Sequence, residues 1–407
     1  MKQGLAWRIT LIGCVFILMV VFLVPTFFLA PPSADSTGEK PSGPAGLLSS
    51  YRVTLGLDLM GGIHLTLEVE TDKAVVATLS QMGQSLQSEA NAKGYLMTRP
   101  SLAGAERIEF VLASGDKAAS FDEFLAKQFP EFSKAGVETA TEGRLKYTLA
   151  LDSAYRSRLV DMTVDQALNT IRNRIDQFGV AEPDVRKEQG SNRITIQLPG
   201  MSDPARAVEI IGKTAHLEFH IVRDDVDPKS KVVPRGVIIL PMDIKSRTGE
   251  TLVEYIAVDE QVALTGDLIS NASPAYDRDN KALVALSFNR RGADLFEKLT
   301  GANVKKRLAI VLDGRVQSAP VIRDRIAGGN ASIEGNFTPN EATDLSLVLR
   351  AGSLPAPVLI MEQRTVGPSL GQESIDNGVR AAIIGGVAVI VFMMVYYGIS
   401  GLIANIM

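Results

Sequence analysis

Cysteine, histidine and tryptophan are scarce in this 407-residue chain, which has one Cys, three His and one Trp. A lone Cys14 excludes an intramolecular disulfide and any Cys-based metal cage. His64, His216 and His220 leave little for His-based catalysis or metal binding. A net charge of −4 excludes the broad basic field of a nucleic-acid binder. Charge itself is missing from two long stretches, 9–30 and 381–407. About 20 apolar residues cross a bilayer as a helix. The chain therefore reads as a membrane protein with a long soluble-looking region between two spans.

Residues 1–30 are expected to form a first transmembrane helix. Lys2 and Arg8 would also suit a secretory signal, but the apolar stretch outruns a signal core and "FFLAPPSADS" is a mediocre cleavage site. An uncleaved anchor is the expectation. "LIGC" looks like a lipoprotein box, yet the apolar run continues past Cys14, which reads as an ordinary span residue. Lys2 and Arg8 favour a cytoplasmic N-terminus, with the central region on the outer side of the membrane. The second span is placed at 378–400. Their charge-free stretches, 9–30 and 381–400, hold no acid, lysine, arginine or histidine, so no ion path through them is visible. Tyr396 and Tyr397 are ordinary interfacial residues.

Residues 31–50, "PPSADSTGEKPSGPAGLLSS", have a linker composition. The folded region starts near Tyr51. A helix is expected over 72–93, strands at 107–113 and 145–151, and a helix at 119–129 between them. "TVDQALNTIRNRIDQFGV" carries Val164, Ala167, Leu168, Ile171, Ile175 and Phe178 at helical spacing. Thr163 and Gln166 have capping-box spacing, and Gly179 suits the left-handed residue that ends a helix. Arg172 and Arg174 are expected to solvate that helix's outer face. "SNRITIQLPG" alternates as a strand, Asp203 and Pro204 open another helix, and "AHLEFHIV" is a further strand. Residues 145–222 thus read as strand, helix, hairpin, helix, strand: an open α+β sandwich. A looser copy of that unit is expected over 55–150. Past 221 a polar, turn-rich segment marks a boundary. Then come a strand at 281–288, a helix at 291–304, a hairpin turning at Asp313-Gly314, and a helix opened by Thr338, Pro339 and Glu341.

Catalytic motifs fail on inspection. "AVEIIGKT" lacks the first glycine of a phosphate loop and runs from helix to strand. His216 and His220 are four apart on an alternating, strand-like segment, where ordinary sheet positions outweigh a metal pair. Asp224, Asp225 and Asp227 lack the glycine and distal glutamate of a calcium loop and read as a solvated turn. No nucleophile elbow is present. No cofactor is expected, and the chain does not read as an enzyme.

Four stretches carry a family resemblance in order: "LGLDLMGGIHLTLEV", "IRNRIDQFGVAEPDVRKEQGSNRITIQLPG", "KRLAIVLDGRVQSAPVIRDRI" and "LRAGSLPAPVLIMEQRTVGPSLGQESIDNG". They are similar to the SecD family of the bacterial Sec protein-export machinery, itself related to RND-type transporters. The final "SGLIANI" resembles the family's start of a third span. The resemblance implies an inner-membrane, multi-pass subunit that pairs with SecF, attaches to the SecYEG channel and contacts the unfolded secretory preprotein. It implies that the proton-motive force completes translocation after SecA acts. It also implies a periplasmic domain with a ferredoxin-like base, here 50–220 closed by 353–369, and an inserted α+β head, here 221–352. Residues 401–407 would begin a third helix that stops short, and the family's intramembrane aspartate has no counterpart in this sequence. The competing reading is a membrane-anchored binding module of an RND-type efflux system.

The family motifs single out a set of turn and coupling residues. Gly56, Gly61 and Gly62 let the backbone turn or approach a neighbour. Asp58 can cap local amides or pair with an arginine; a proton-carrying role is disfavoured because a carboxylate outside the bilayer is simply ionised. Gly367, Pro368 and Gly371 would shape the partner segment 365–375. Gly179, Glu182, Pro183, Pro199 and Gly200 read as turn formers of the base. The first stretch is expected to couple the first span to the base; the alternative is a bulged strand with no mechanical role.

Overall fold

The structure, a computed structural model, describes residues 11, 13–15, 56–104, 106–139, 144–180, 183–201, 203–230, 233–245, 251–398 and 400. Most of the expected first span, the linker 31–50, Glu182 and residues 401–407 lie outside the described residues. In chain order, a one-turn helix α1 (Leu57–Met60) leads into β1 (Gly62–Val69). Helix α2 (Thr71–Ala92), β2 (Ser101–Leu102), β3 (Arg107–Leu112), α3 (Ala118–Gln128), β4 (Phe132–Thr139) and β5 (Leu145–Leu151) follow. Next come α4 (Ser153–Phe178), β6 (Asp184–Lys187), β7 (Arg193–Pro199) and α5 (Pro204–Gly212). Strands β8 (Leu217–Ile221), β9 (Val237–Lys245), β10 (Thr251–Asp259), β11 (Leu264–Thr265), β12 (Ile269–Tyr276) and β13 (Ala282–Phe288) precede α6 (Arg290–Ala302). The chain continues through β14 (Leu308–Leu312), β15 (Arg315–Ser318), β16 (Asn330–Phe337), α7 (Pro339–Ala351), β17 (Val358–Val366) and α8 (Pro368–Tyr397).

One antiparallel sheet has the order β17-β1-β7-β6. Its strands, with α4 and α5, connect as β1-α4-β6-β7-α5-β17, the split β-α-β pattern of a ferredoxin-like unit. The unit is interrupted twice. Residues 70–152 are inserted after β1, and residues 213–357 are inserted after α5. The inward residues Ile63, Leu65 and Leu67 of β1 and Ile194, Ile196 and Leu198 of β7 meet Val164, Ala167, Ile171 and Ile175 of α4 in one core.

This corrects the sequence-based grouping of 145–222. Its strands fall in three different sheets. β5 joins the order β2-β3-β5-β4, β6 and β7 join the ferredoxin-like sheet, and β8 pairs with β14 and β11. The reason is side-chain partnership. Tyr147 of β5 stacks on Phe110 at 5.5 Å and meets Phe121 edge-on at 5.3 Å, within an aromatic core of its own. Phe219 of β8 packs on Phe288 and Phe296 of the second insertion. Residues 70–152 are therefore a separate α+β body and not a copy of the 145–222 unit. Tyr147 feels its burial: loss of solvent, helped by Asp122, pushes its phenol up to about 12.

Helix α4 starts ten residues before the expected cap. Asp152 caps it by accepting from the N–H groups of Ala154 and Tyr155 at 3.0 and 3.2 Å. Thr163 instead lies inside the helix and donates to the carbonyl of Leu159 at 2.7 Å. The extra turns place Tyr155, Leu159 and Val160 on the aromatic core, so one helix spans two cores. Other local expectations appear as drawn. Asp203 caps α5, Thr338 and Glu341 form a reciprocal capping box on α7, and Asp313 and Gly314 turn a hairpin with φ 50° and 77°.

In the second insertion a six-stranded sheet, β10-β9-β15-β14-β8-β11, accompanies a three-stranded sheet, β12-β13-β16. Helix α8 exposes apolar side chains around its whole circumference. Its residues Glu373–Tyr397 are long and apolar enough to cross a membrane.

Candidate functional site

Two places join the ferredoxin-like unit to the rest of the chain. The first is the end of its sheet nearest α8. Gly56 begins α1 and its carbonyl accepts from Leu59 and Met60, each at 3.1 Å. Gly61 (φ 71°) ends that turn and its carbonyl accepts from Gly200 N–H at 2.9 Å. Gly62 lies between two strands, opposite Pro199 on one side and Val366 on the other. Its φ is 133°, and a Cβ there would stand 2.2 Å from the carbonyl oxygen of Leu198. Only glycine fits, on both grounds. Gly367 then caps α8, with Pro368 at its first position and Gly371 in its opening turns. Helix α1 packs beside α8.

Seven of the sequence-selected residues thus meet in one junction: Gly56, Gly61, Gly62, Pro199, Gly200, Gly367 and Pro368. Gly179 takes the expected left-handed cap of α4 (φ 79°, ψ 23°). The register Asp184–Gln197–His64 puts the connection holding Gly179 and Pro183 at the same end of the sheet, on its β6 edge. Glu182 and the side chain of Asp58 lie outside the described residues.

The second place is where the main chain leaves the unit at 213–216 and returns at 352–354. Arg174 sits there with 0% of its surface exposed. This overturns the expectation of a solvated arginine; Arg172 does lie on the outer face, donating to Val185 O at 3.1 Å. The Arg174 guanidinium donates to the carbonyls of Ile210 at 3.1 Å and Ile211 at 3.0 Å, and to that of Lys213. It also reaches Thr214 O at 3.4 Å and Gly352 O at 3.0 Å. One side chain therefore holds the end of α5, the outgoing chain at 213–214 and the returning chain at Gly352. The carbonyls at a helix C-terminus favour a cation. Leu354 N–H closes the pair by donating to Thr214 O at 3.0 Å. Burial lowers the Arg174 pKa to about 10, partly opposed by the Asp313 charge, so it stays protonated at neutral pH. The signal was in the sequence: position 174 is three after Ile171 and four before Phe178, inside the apolar stripe.

Weaker contacts surround that crossing. Arg206 of α5 pairs with Asp344 of α7 at 2.6 Å and stacks over Phe178 at 5.5 Å. Arg350 donates to Gln177 across α7 and α4. The Asp313 carboxylate accepts from the N–H groups of Ala215 and His216 at 3.1 and 2.8 Å. Beyond it, alternate residues His216, Glu218 and His220 share one face. His216 reaches Glu218 at 3.2 Å, and His220 stands 3.5 Å from the same carboxylate while bonding Asp259 O at 2.8 Å. Hydrogen bonds from His216 and then His220 push Glu218 down to about 2. The bond to Glu218 raises His216. Burial opposes the charged form of His220, but Glu218 and the Asp259 carbonyl outweigh it and raise that pKa too. Among the described residues no cluster of His, Cys, Asp and Glu is placed to hold a metal ion. The acidic turn after β8 is engaged in ion pairs, Asp225 with Arg223 at 2.9 Å and Asp224 with Arg307 at 3.2 Å.

Two family descriptions match this chain. The SecDF P1 head subdomain covers residues 242–356, and the N-terminal P1 domain of protein translocase subunit SecDF covers 164–224. The protein translocase subunit SecD of Syntrophobacter fumaroxidans is 45% identical over 409 residues, which span 99% of this chain and 75% of that protein. The one from Calditerrivibrio nitroreducens is 40% identical, over 96% of this chain and 72% of that protein. A solved SecDF in a super-membrane-facing form is 29% identical with a TM-score of 0.46, and SecDF from Thermus thermophilus is 27% identical with a TM-score of 0.32. In each case the match covers 40% of the solved chain. This chain belongs to the SecD family of protein translocase subunits, components of Sec protein export, and not to the efflux-type alternative.

Proposed function

We propose that this chain is a multi-pass inner-membrane subunit with a cytoplasmic N-terminus and a periplasmic α+β region, working with SecF beside the SecYEG channel. The second insertion, from about 213 to 357, is the head and transiently engages the emerging unfolded preprotein. The ferredoxin-like unit is the base, and it stands between head and membrane. The residues described here have a mechanical role: they carry movement between spans and head, while the proton-motive force acts through the wider machinery.

One observation carries this reading. The two neighbouring strands β1 and β17 both lead to α8, β1 through α1, which packs beside it, and β17 through Gly367 directly. The same unit grips the head's two chain crossings through Arg174, at Thr214 and Gly352. A shift of α8 therefore reaches the crossing through one rigid sheet. The β1–β17 pairing shifts register between Thr66 and Leu67, and a bulged strand with no mechanical role predicts normal export from folded Gly62→Ala and Asp58→Ala variants.

The test is export of a reporter precursor by membranes carrying the full-length subunit, with Gly62→Ala and Asp58→Ala variants matched for abundance and folding. Slower export from correctly folded variants supports coupling. Normal export and normal folding in both variants sinks it. Site-specific photo-cross-linking of the head to a stalled precursor tests the engagement itself, and its failure at every head position sinks that part.

A further inference from the structure

Strand β10 forms one edge of the six-stranded sheet, and β9 is its ladder neighbour. Its two halves differ. Ile256 and Val258 are buried in a core with Val222, Ala309 and Val311. Leu252, Val253 and Tyr255 are 58%, 50% and 55% exposed, and they project from both faces of the ribbon.

The outer edge of β10 already accepts a strand over part of its length. The chain leaving β8 bridges Val222 to Val258 in the antiparallel sense, and Arg223 N–H donates to Ala257 O at 2.9 Å. It then turns away into the acidic turn at Asp224. Main-chain groups along a strand face alternate edges. The outward carbonyl of Ala257 therefore means that Val253 and Tyr255 also send their N–H and C=O outward. The partner across from Tyr255 is Pro241, which has no N–H to give, so the ladder agrees with that orientation. Among the described residues nothing pairs with this edge over 252–256. Most of the usual protections of an edge are absent: the strand holds no lysine or proline, its pairing with β9 has no bulge, and Glu254 is its one charge over 252–256.

We propose that the free edge of β10 takes an extended, unfolded polypeptide as an added antiparallel strand, bonded to the main chain of Val253 and Tyr255. The inference rests on the reading above, that the head engages the exported chain. Main-chain pairing tolerates any side-chain sequence, which a subunit serving many preproteins requires. Leu252, Val253 and Tyr255 add apolar contact that is not sequence-specific. The added strand continues the line that residues 222–223 begin.

The experiment is hydrogen exchange on the full-length chain in lipid nanodiscs, with and without reduced, carboxymethylated α-lactalbumin, a permanently unfolded polypeptide. Amide exchange at Val253 and Tyr255 is expected to slow about tenfold or more on binding, while Leu252 and Glu254, already bonded to β9, do not change. Val253→Pro removes an outward donor and no bond to β9, so affinity should fall about tenfold; Val253→Thr should bind as the parent does. Binding with unchanged exchange at 253 and 255, equal in Val253→Pro, overturns the edge and leaves head engagement standing. No binding of the polypeptide at all overturns both. Protection that grows with the concentration of the chain alone assigns the edge to a second copy and also overturns the proposal.

Discussion

The junction beside α8 and the crossing beneath the head solve one problem in opposite ways. Each must hold main chain against main chain where elements from distant parts of the sequence meet. The junction does it by subtraction: Gly62 removes a side chain so that β1 can lie against Leu198 and Pro199. The crossing does it by addition: Arg174 sends one long side chain to main-chain carbonyls from α5 and both crossing strands. A junction built of backbone contacts has little slack and suits transmission. A crossing centred on one guanidinium, with Leu354 N–H and the Arg206–Asp344 pair beside it, concentrates its contacts in side chains. The difference teaches that main chain can be held to main chain either by close approach or by a shared side-chain donor.

Arg174→Met gives the largest expected effect. It leaves several buried carbonyls without a donor, at about 1–3 kcal/mol each, offset by relief of the guanidinium's desolvation. We expect a loss of about 4 kcal/mol in urea unfolding. Spin labels on α4 and α7 should show a broader distance distribution in the folded variant. A narrow distribution, unchanged from the parent, would refute Arg174 as the residue that fixes the crossing. Arg174→Lys keeps charge but offers one donor centre, and should fall between the two.

Gly62→Ala ranks next, at about 3 kcal/mol, because it adds a clash at 2.2 Å to an unfavourable φ. Gly179→Ala is its control. It shares a positive φ but has nothing within 4 Å of the added carbon, so it should cost about 1 kcal/mol. Equal costs would mean that backbone strain, and not close approach, is what the junction requires.

The His216–Glu218–His220 row makes a smaller, pH-dependent contribution near the crossing. Both imidazoles are raised above 6.5, so their stabilisation is complete below pH 6.5 and is lost as pH rises through their folded values. Glu218 is lowered from 4.5 to about 2, so its share is complete above pH 4.5 and is lost as pH falls toward 2. Unfolding midpoints should therefore be highest between about pH 4.5 and 6.5, and Glu218→Gln should flatten that profile. A profile unchanged by Glu218→Gln would remove the row from the comparison.

The junction was far more legible in the sequence than the crossing. Glycine and proline act locally, so Gly61, Gly62, Gly200, Gly367 and Pro368 announce their turns without knowledge of the fold. The caps at Asp203 and Thr338 were legible for the same reason. Sheet membership was not, because β5 and β8 chose partners far away in sequence through Tyr147 and Phe219. Asp152 displaced the expected cap at Thr163 because both residues can cap, and only tertiary packing of Tyr155 and Leu159 decides between them. Strand β10 was passed over between the turn-rich segment after 221 and the strand at 281–288, although "TLVEYIAV" has the β-branched and aromatic content of a strand. Arg174 was misread because charge was weighed above position in the apolar stripe.

The smallest expected effect isolates the rim of the crossing. Arg206 is 41% exposed and Asp344 14% exposed, so solvent screens most of their attraction despite the 2.6 Å contact. A double-mutant cycle of Arg206→Ala and Asp344→Ala should give a coupling of about 0.5–1 kcal/mol. Arg206→Ala alone should cost slightly more than the coupling, since it also uncovers Phe178. The same cycle in an Arg174→Lys background decides how the crossing is built. If the coupling holds its value, Arg174 and the rim hold the crossing independently. If it collapses, the rim pair depends on Arg174 to keep α7 in place, and the crossing behaves as one cooperative contact whose stiffness matches that of the glycine junction.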